Sequence, residues 1–155
     1  MPEETHTIRN LVIFFLIILP LFTMSLQIPK AAGAIAKIYV EPYANTAEPG
    51  EQFTVDVKIE GVAELWAWSF YLNWTTSLLN VTSVTEGSFL NQEGAQTTYF
   101  VKKIYNNKGY LALWDTLQTP ATSVSGSGTL ATITFLVKAE GGSALDVCNT
   151  DLIKK

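Results

Sequence analysis

The stretch Gly126–Val147, GSGTLATITFLVKAEGGSALDV, decides the fold class. Ala131, Ile133, Phe135 and Val137 fall on one side of an extended chain, and Thr132, Thr134 and Lys138 fall on the other. Alternation by twos is the mark of a strand with one buried face, whereas a helix would repeat its apolar residues every three or four positions. Glycines bracket the run, and beyond Gly141-Gly142 a second short apolar run, Leu145 and Val147, predicts another strand.

The same period governs the chain upstream. In EQFTVDVKIEG, Phe53, Val55, Val57 and Ile59 oppose Thr54, Asp56 and Lys58. In ELWAWSFYLNW, Trp66, Trp68, Phe70, Leu72 and Trp74 oppose Ala67, Ser69, Tyr71 and Asn73, so the bulky side is assigned to the core. AKIYVEPY opens the series and LLNVTSV follows the tryptophan-rich run. TTYFVKKIY and GYLALWDTL are joined by Asn106-Asn107-Lys108-Gly109, whose Asn and Gly residues suit a tight hairpin turn. Eight or nine short strands, each with one apolar face, imply two stacked sheets, because a single such sheet leaves that face in water. Residues 35–155 are therefore expected to form one all-β sandwich.

Residues 1–34 are of another kind. Leu11–Ile28 is apolar apart from Thr23, Ser25 and Gln27, and the small residues Ala32-Gly33-Ala34 follow it. An export signal cleaved after Ala34 is expected, with retention as an N-terminal membrane anchor helix as the alternative. Both place the remainder outside the cytoplasm, at the cell surface or beyond it.

Composition excludes several functions. The net charge is −4 and the basic residues are scattered, which leaves no electrostatic footprint for nucleic acid. Cys148 is the sole cysteine, so neither an intrachain disulfide nor a cysteine metal site is available. The sole histidine, His6, lies in the segment expected to be removed, so the exported part has no imidazole base. Asp56, Glu60, Glu64, Glu86, Asp115 and Asp146 fall at outward positions or turns and read as solvated charge. Asp115, Asp146 and Asp151 match no calcium-loop spacing. No catalytic residue, metal or cofactor is assigned.

The ordered set GEQFTVDVKIEGV, WSFYLNWTTSLLNVTSV, a hairpin, and GSGTLATITFLVKAEGGSALDV resembles the cohesin modules. A late strand of the form GxLAxIxFxV is met by Gly128, Leu130, Ala131, Ile133, Phe135 and Val137. The sequence departs from the family at Thr75-Thr76, where an Asp-Pro is usual. The resemblance implies a jelly-roll sandwich and a role in docking other exported proteins, often through dockerin domains, within polysaccharide-degrading or cell-surface assemblies. It implies that the partner-binding face carries Ala67, Ser69, Tyr71, Asn73, Lys102, Ile104, Leu111, Leu113 and Asp115. The polar pair usual in dockerin-binding cohesins falls at Ala67 and Ser69, which leaves another exported partner open.

Residues 110–115 are apolar on both sides, so periodicity leaves Tyr110, Ala112 and Trp114 competing with Leu111, Leu113 and Asp115 for the interior. The resemblance puts Trp114 inside and the two leucines outside. Asn73-Trp74-Thr75 and Asn80-Val81-Thr82 match the glycosylation acceptor pattern, which acts only after export. A polysaccharide-binding sandwich, with Trp66, Tyr71 or Tyr110 open to a sugar, is the alternative function, and a structural surface domain is the third.

Overall fold

The structure, a computed structural model, describes residues 35–155 apart from Glu93 and Ala95. The expected signal or anchor, its cleavage point and His6 lie outside the described residues. The described chain is all-β apart from one short helix: β1 (Lys37–Glu41), β2 (Gln52–Asn73), β3 (Leu79–Glu86), α1 (Ser88–Asn91), β4 (Val101–Tyr105), β5 (Tyr110–Thr116), β6 (Val124–Val137) and β7 (Asp146–Lys154).

The stretch at 126–147 supplies β6 and the start of β7. Ala131, Ile133, Phe135 and Val137 are buried as their alternation requires. Strand β6 lies between β2 and β3, with Phe53 and Val81 both paired to Phe135, and Val55 and Val84 both paired to Ile133. Phe135 stacks on Phe53 at 5.5 Å and meets Trp74 edge-on at 5.5 Å. The Trp74 indole N–H donates to the Leu79 carbonyl at 3.1 Å, so its polar atom is satisfied where the ring is buried.

Seven strands stand among the described residues in place of the eight or nine expected, because two of the expected strands are one. Strand β2 runs unbroken for 22 residues and belongs to both layers. Its first half pairs with β1 and β6, and its second half pairs with β5 and β7. The layers are thus β1-β2-β6-β3 and β7-β2-β5-β4. The passage between them is visible in the buried positions: Val55, Val57 and Ile59 step by two, Val62, Leu65 and Trp68 follow at steps of three, and Phe70 and Leu72 return to two. Each three-residue step marks a β-bulge, where an extra residue keeps the apolar side chain inward while the strand turns. Gly61 and Glu64 take positive φ there, at 69° and 55°. The amides freed by the bulges are bonded by β6 hydroxyls, Gly61 N–H to Ser127 Oγ at 3.1 Å and Glu64 N–H to Ser125 Oγ at 2.9 Å.

The sandwich is nearly closed into a barrel, because β3 and β4, the edges of the two layers, are stitched together. Asn106 accepts from the Val81 N–H at 2.7 Å and donates to the Val81 carbonyl at 2.9 Å. Lys102 donates its ammonium to the Val84 carbonyl at 2.7 Å. At one end α1 inserts Phe89 and Leu90 into the core, and it can approach only because Gly87 lacks a side chain: a Cβ there would lie 2.1 Å from the Thr129 carbonyl oxygen. Gly109 closes the β4–β5 hairpin with φ of 71°, as the Asn-Asn-Lys-Gly composition requires.

The bulge hydroxyls have a measurable role. Ser125→Ala and Ser127→Ala should each lower stability by about 1 kcal/mol, the usual contribution of one such hydrogen bond, in urea denaturation. No loss in either variant would mean that water replaces the hydroxyls freely.

Candidate functional site

The layer β7-β2-β5-β4 turns its inner side to the core and leaves its outer side open. On β2 the sequence parity holds: Trp68, Phe70, Leu72 and Trp74 are buried, while Ser69, Tyr71 and Asn73 point outward and Tyr71 is 40% exposed. Ala67 shares that side but is covered by its neighbours. Trp66, beside the bulge, is half-buried, and the Lys155 ammonium lies 4.1 Å from its ring centre.

On β5 the register overturns the expectation. Trp68 pairs with Asp115, Phe70 with Leu113 and Leu72 with Leu111, and directly paired residues lie on the same side of a sheet. Leu111, Leu113 and Asp115 are therefore core residues, 0%, 1% and 1% exposed, and Trp114 points outward. Both sides of this strand are apolar, so only its partner reveals which side is inside. The correction passes to β4, where Lys102 pairs with Leu113 and Ile104 with Leu111. Lys102 and Ile104 thus sit on the core side of the sheet at its open edge. Lys102 spans the seam to β3 instead of meeting a partner.

The outer side is a grid of three rows. They run Asp151, Ser69, Trp114, Val101; then Cys148, Tyr71, Ala112, Lys103; then Asp146, Asn73, Tyr110, Tyr105. Tyr71, Tyr110 and Tyr105 touch in series, with ring centres 6.0 and 4.8 Å apart. Lys103 lies over Trp114 at 5.1 Å, and Lys108 lies over Tyr105 at 5.7 Å. The Asn73 amide donates to the Cys148 sulfur at 3.2 Å, so one of the two acceptor-pattern asparagines is already engaged within the grid. Asn80 lies elsewhere, half-buried on β3. The surface is aromatic at its centre, with Lys103 of β4 and Lys108 of the following hairpin along one edge and the carboxylates of Asp146 and Asp151 along the β7 edge.

Sequence reasoning missed the contribution of β7. Alternation along 146–153 is broken at Asn149, which takes φ of 50°, and the register shifts between Ser69 and Tyr71, so no period of two carries through. It also missed Val101, Lys103 and Tyr105, for which the parity of β5 was the missing key.

Asp115 is not a solvated charge. It is the one buried ionisable residue among the described residues, and neither carboxyl oxygen has a hydrogen-bond partner of good geometry. The indole N–H of Trp68, its register partner, is likewise unpaired. Burial first, and then the neighbouring Glu86 carboxylate, raise the Asp115 pKa to about 7. Glu86 is held by Thr98 Oγ1 at 2.7 Å and by the Asn91 amide at 3.0 Å. Among the described residues no cluster of His, Cys, Asp or Glu could hold a metal ion. A concavity lined by Gln96, Thr97, Gln118, Pro120, Thr122 and Ser123 has no titratable side chain among the described residues.

The family model described as Cohesin domain matches residues 38–151, so the chain belongs to the cohesin family. No curated protein matches the sequence. Solved structures of cohesins share the fold. The sixth cohesin of scaffoldin B from Acetivibrio cellulolyticus, solved with a Cel5 dockerin, is 16% identical with a TM-score of 0.62, covering 77% of this chain and 86% of that one. A non-cellulosomal cohesin from the archaeon Archaeoglobus fulgidus is 20% identical with a TM-score of 0.62, covering 78% and 79%. CaCohA2 from Clostridium acetobutylicum is 24% identical with a TM-score of 0.61, covering 74% of each.

Two measurements test this assignment of sides. Leu113→Ala should cost about 2–5 kcal/mol in denaturant unfolding, the range for a buried leucine, and an outward leucine would cost far less. Asp115 should make stability depend on pH. Its folded pKa of about 7 lies above the ordinary 3.8, so the folded state holds the proton longer. Stability then falls as pH rises from about 4 to 7 and is flat above. Asp115→Asn, whose side chain cannot ionise, should remove this slope and make the protein more stable than wild type at pH 8, where the wild-type carboxyl is charged.

Proposed function

We propose that this chain is a non-catalytic docking module, exported from the cell, that holds another exported protein on the outer side of the β7-β2-β5-β4 layer. The observation that carries this is the aromatic grid centred on Tyr71, lying exposed on the outer side of a sheet in a chain of the cohesin family. Aromatic residues at the centre and charges at the rim are the usual anatomy of a protein interface. The architecture is read as a jelly roll, and residues 1–34 as the leader or anchor that places the module at the cell surface.

A dockerin is the first partner to test, since cohesins of this fold have been solved in complex with dockerins. The grid sets terms for it: a partner element with small or aliphatic centre, acidic where it meets Lys103 and Lys108 and basic where it meets Asp146 and Asp151. A glycan on Asn73 would stand in the middle of this surface and oppose docking, whereas one on Asn80 would not.

Polysaccharide binding is the second reading, favoured by the exposure of Tyr71. The rings of Tyr71, Tyr110 and Tyr105 are tilted by 34° and 31° and pack on one another, which makes them a poorer platform for flat sugar rings than a coplanar row. Calorimetric titration of a dockerin panel and a glycan array separate the readings. Tyr71→Asp should weaken dockerin binding at least about tenfold, or 1.4 kcal/mol, with an unchanged circular dichroism spectrum. Silence across the panel with retention of a glycan would transfer the grid to sugar binding.

A further inference from the structure

We propose that the grid also binds a second copy of this chain, through a two-fold axis that runs along the strands between β2 and β5. The inference rests on the docking reading for its choice of face and deepens it by naming an occupant.

The argument is the pattern of sizes and charges. Rotation about such an axis exchanges β2 with β5 and β7 with β4, and keeps each row opposite itself. Tyr71 then meets the second copy's Ala112 in the middle row, and Trp114 meets its Ser69 in the first, so a large side chain faces a small one at each central position. Sheets packed face to face lie about 10 Å apart, a gap that a Tyr or Trp on one side and an Ala or Ser on the other can fill. On the outer columns Lys103 comes opposite Cys148, with Asp151 opposite Val101 and Asp146 opposite Tyr105 in the rows on either side. Lys103 thus lies diagonally between two aspartates, and the hairpin residue Lys108, over Tyr105, adds positive charge on the same edge. An axis perpendicular to the strands would instead place lysines on lysines and aspartates on aspartates. The face is self-complementary for one symmetry operation and self-repelling for the other.

Its size sets the strength. Four strands spaced about 4.8 Å apart and some six residues at about 3.4 Å each make a patch roughly 20 Å on a side. That is about half of the roughly 800 Å² per partner in a standard stable interface, so the dimer is reversible and dissociates on dilution. Self-association and partner docking then compete for one surface, and crowding at the cell surface keeps the aromatic grid covered until a partner displaces the second copy.

Charge exchange tests this directly. The full chain, in mild detergent if its N-terminal segment is retained, is followed by sedimentation velocity across a concentration series. Wild type should form a concentration-dependent dimer. Lys103→Glu and Asp151→Lys should each weaken it at least about tenfold, because each places like charges at both ends of the interface. An equimolar mixture of the two variants should recover wild-type association to within about threefold, since the heterodimer restores opposite charges at both ends. A wild-type chain monomeric to about 1 mM, variants that associate as wild type does, or a mixture that fails to recover would each overturn the proposal. Titration of the same variants with dockerins reports separately on docking: a dimer that follows these rules without any dockerin capture supports the self-association and sinks the docking reading.

Discussion

One strand belongs to both layers, and the rest of the molecule is arranged around that fact. Strand β2 pairs with β1 and β6 in its first half and with β5 and β7 in its second. A regular strand carried through so many residues would drift off the core as it twisted from one layer to the next. The bulges at Gly61 and Glu64 remove that conflict by inserting residues where the buried positions must be re-aimed. The cost is two unpaired amides, and Ser125 and Ser127 on the neighbouring strand offset it. The crossing point is therefore specified by residues on both β2 and β6, far apart in the sequence.

Because β2 runs through the middle of the second layer, its parity decides the side taken by every residue paired with it. Trp68, Phe70 and Leu72 are too large to be anywhere but inside, and they carry Asp115, Leu113 and Leu111 inward with them. Those residues in turn direct Lys102 and Ile104 to the inner edge and leave Lys103 and Tyr105 outside. A slip of one residue would reverse the whole layer, and burying the rings of Trp68, Phe70 and Trp74 makes such a slip costly. The outer grid is thus a consequence of what the core must hide.

This is also why the sequence could be read so far and no further. Where a strand has one apolar face, as at Ala131 to Val137 and Trp68 to Trp74, alternation assigned every side chain correctly. In β5 both faces are apolar, so alternation does not choose between them, and the parity that the family resemblance implies, with Leu111 and Leu113 outside, is the reverse of the one that pairing with β2 imposes. Asp115 misled in the same direction, because a carboxylate ordinarily marks a solvated position. Strand β7 escaped for a different reason: the left-handed residue Asn149 interrupts its period, and the pairing of Asp146, Cys148 and Asp151 with β2 is a long-range fact with no local signature. The runs EQFTVDVKIEG and ELWAWSFYLNW read as two strands because a glycine between periodic runs suits a turn, yet a bulge shares that composition.

The distribution of charge separates structural work from surface work. Lys102 is committed to the seam through the Val84 carbonyl, and Glu86 is held by Thr98 and Asn91 beside the buried Asp115. These groups sit at the closure between the layers, where the protonation of Asp115 acts on stability. On the outer grid the ionisable groups stand at the margins and the centre is left to rings and small side chains. A catalytic site needs the opposite arrangement, with titratable groups converging on a concave point where water is excluded. An outward aromatic surface with charges at its rim offers no such point, but it offers area, shape and orientation, which are what one macromolecule needs from another. The polarity from β7 to β4 then matters more than any single contact, because it fixes which way round an occupant must lie.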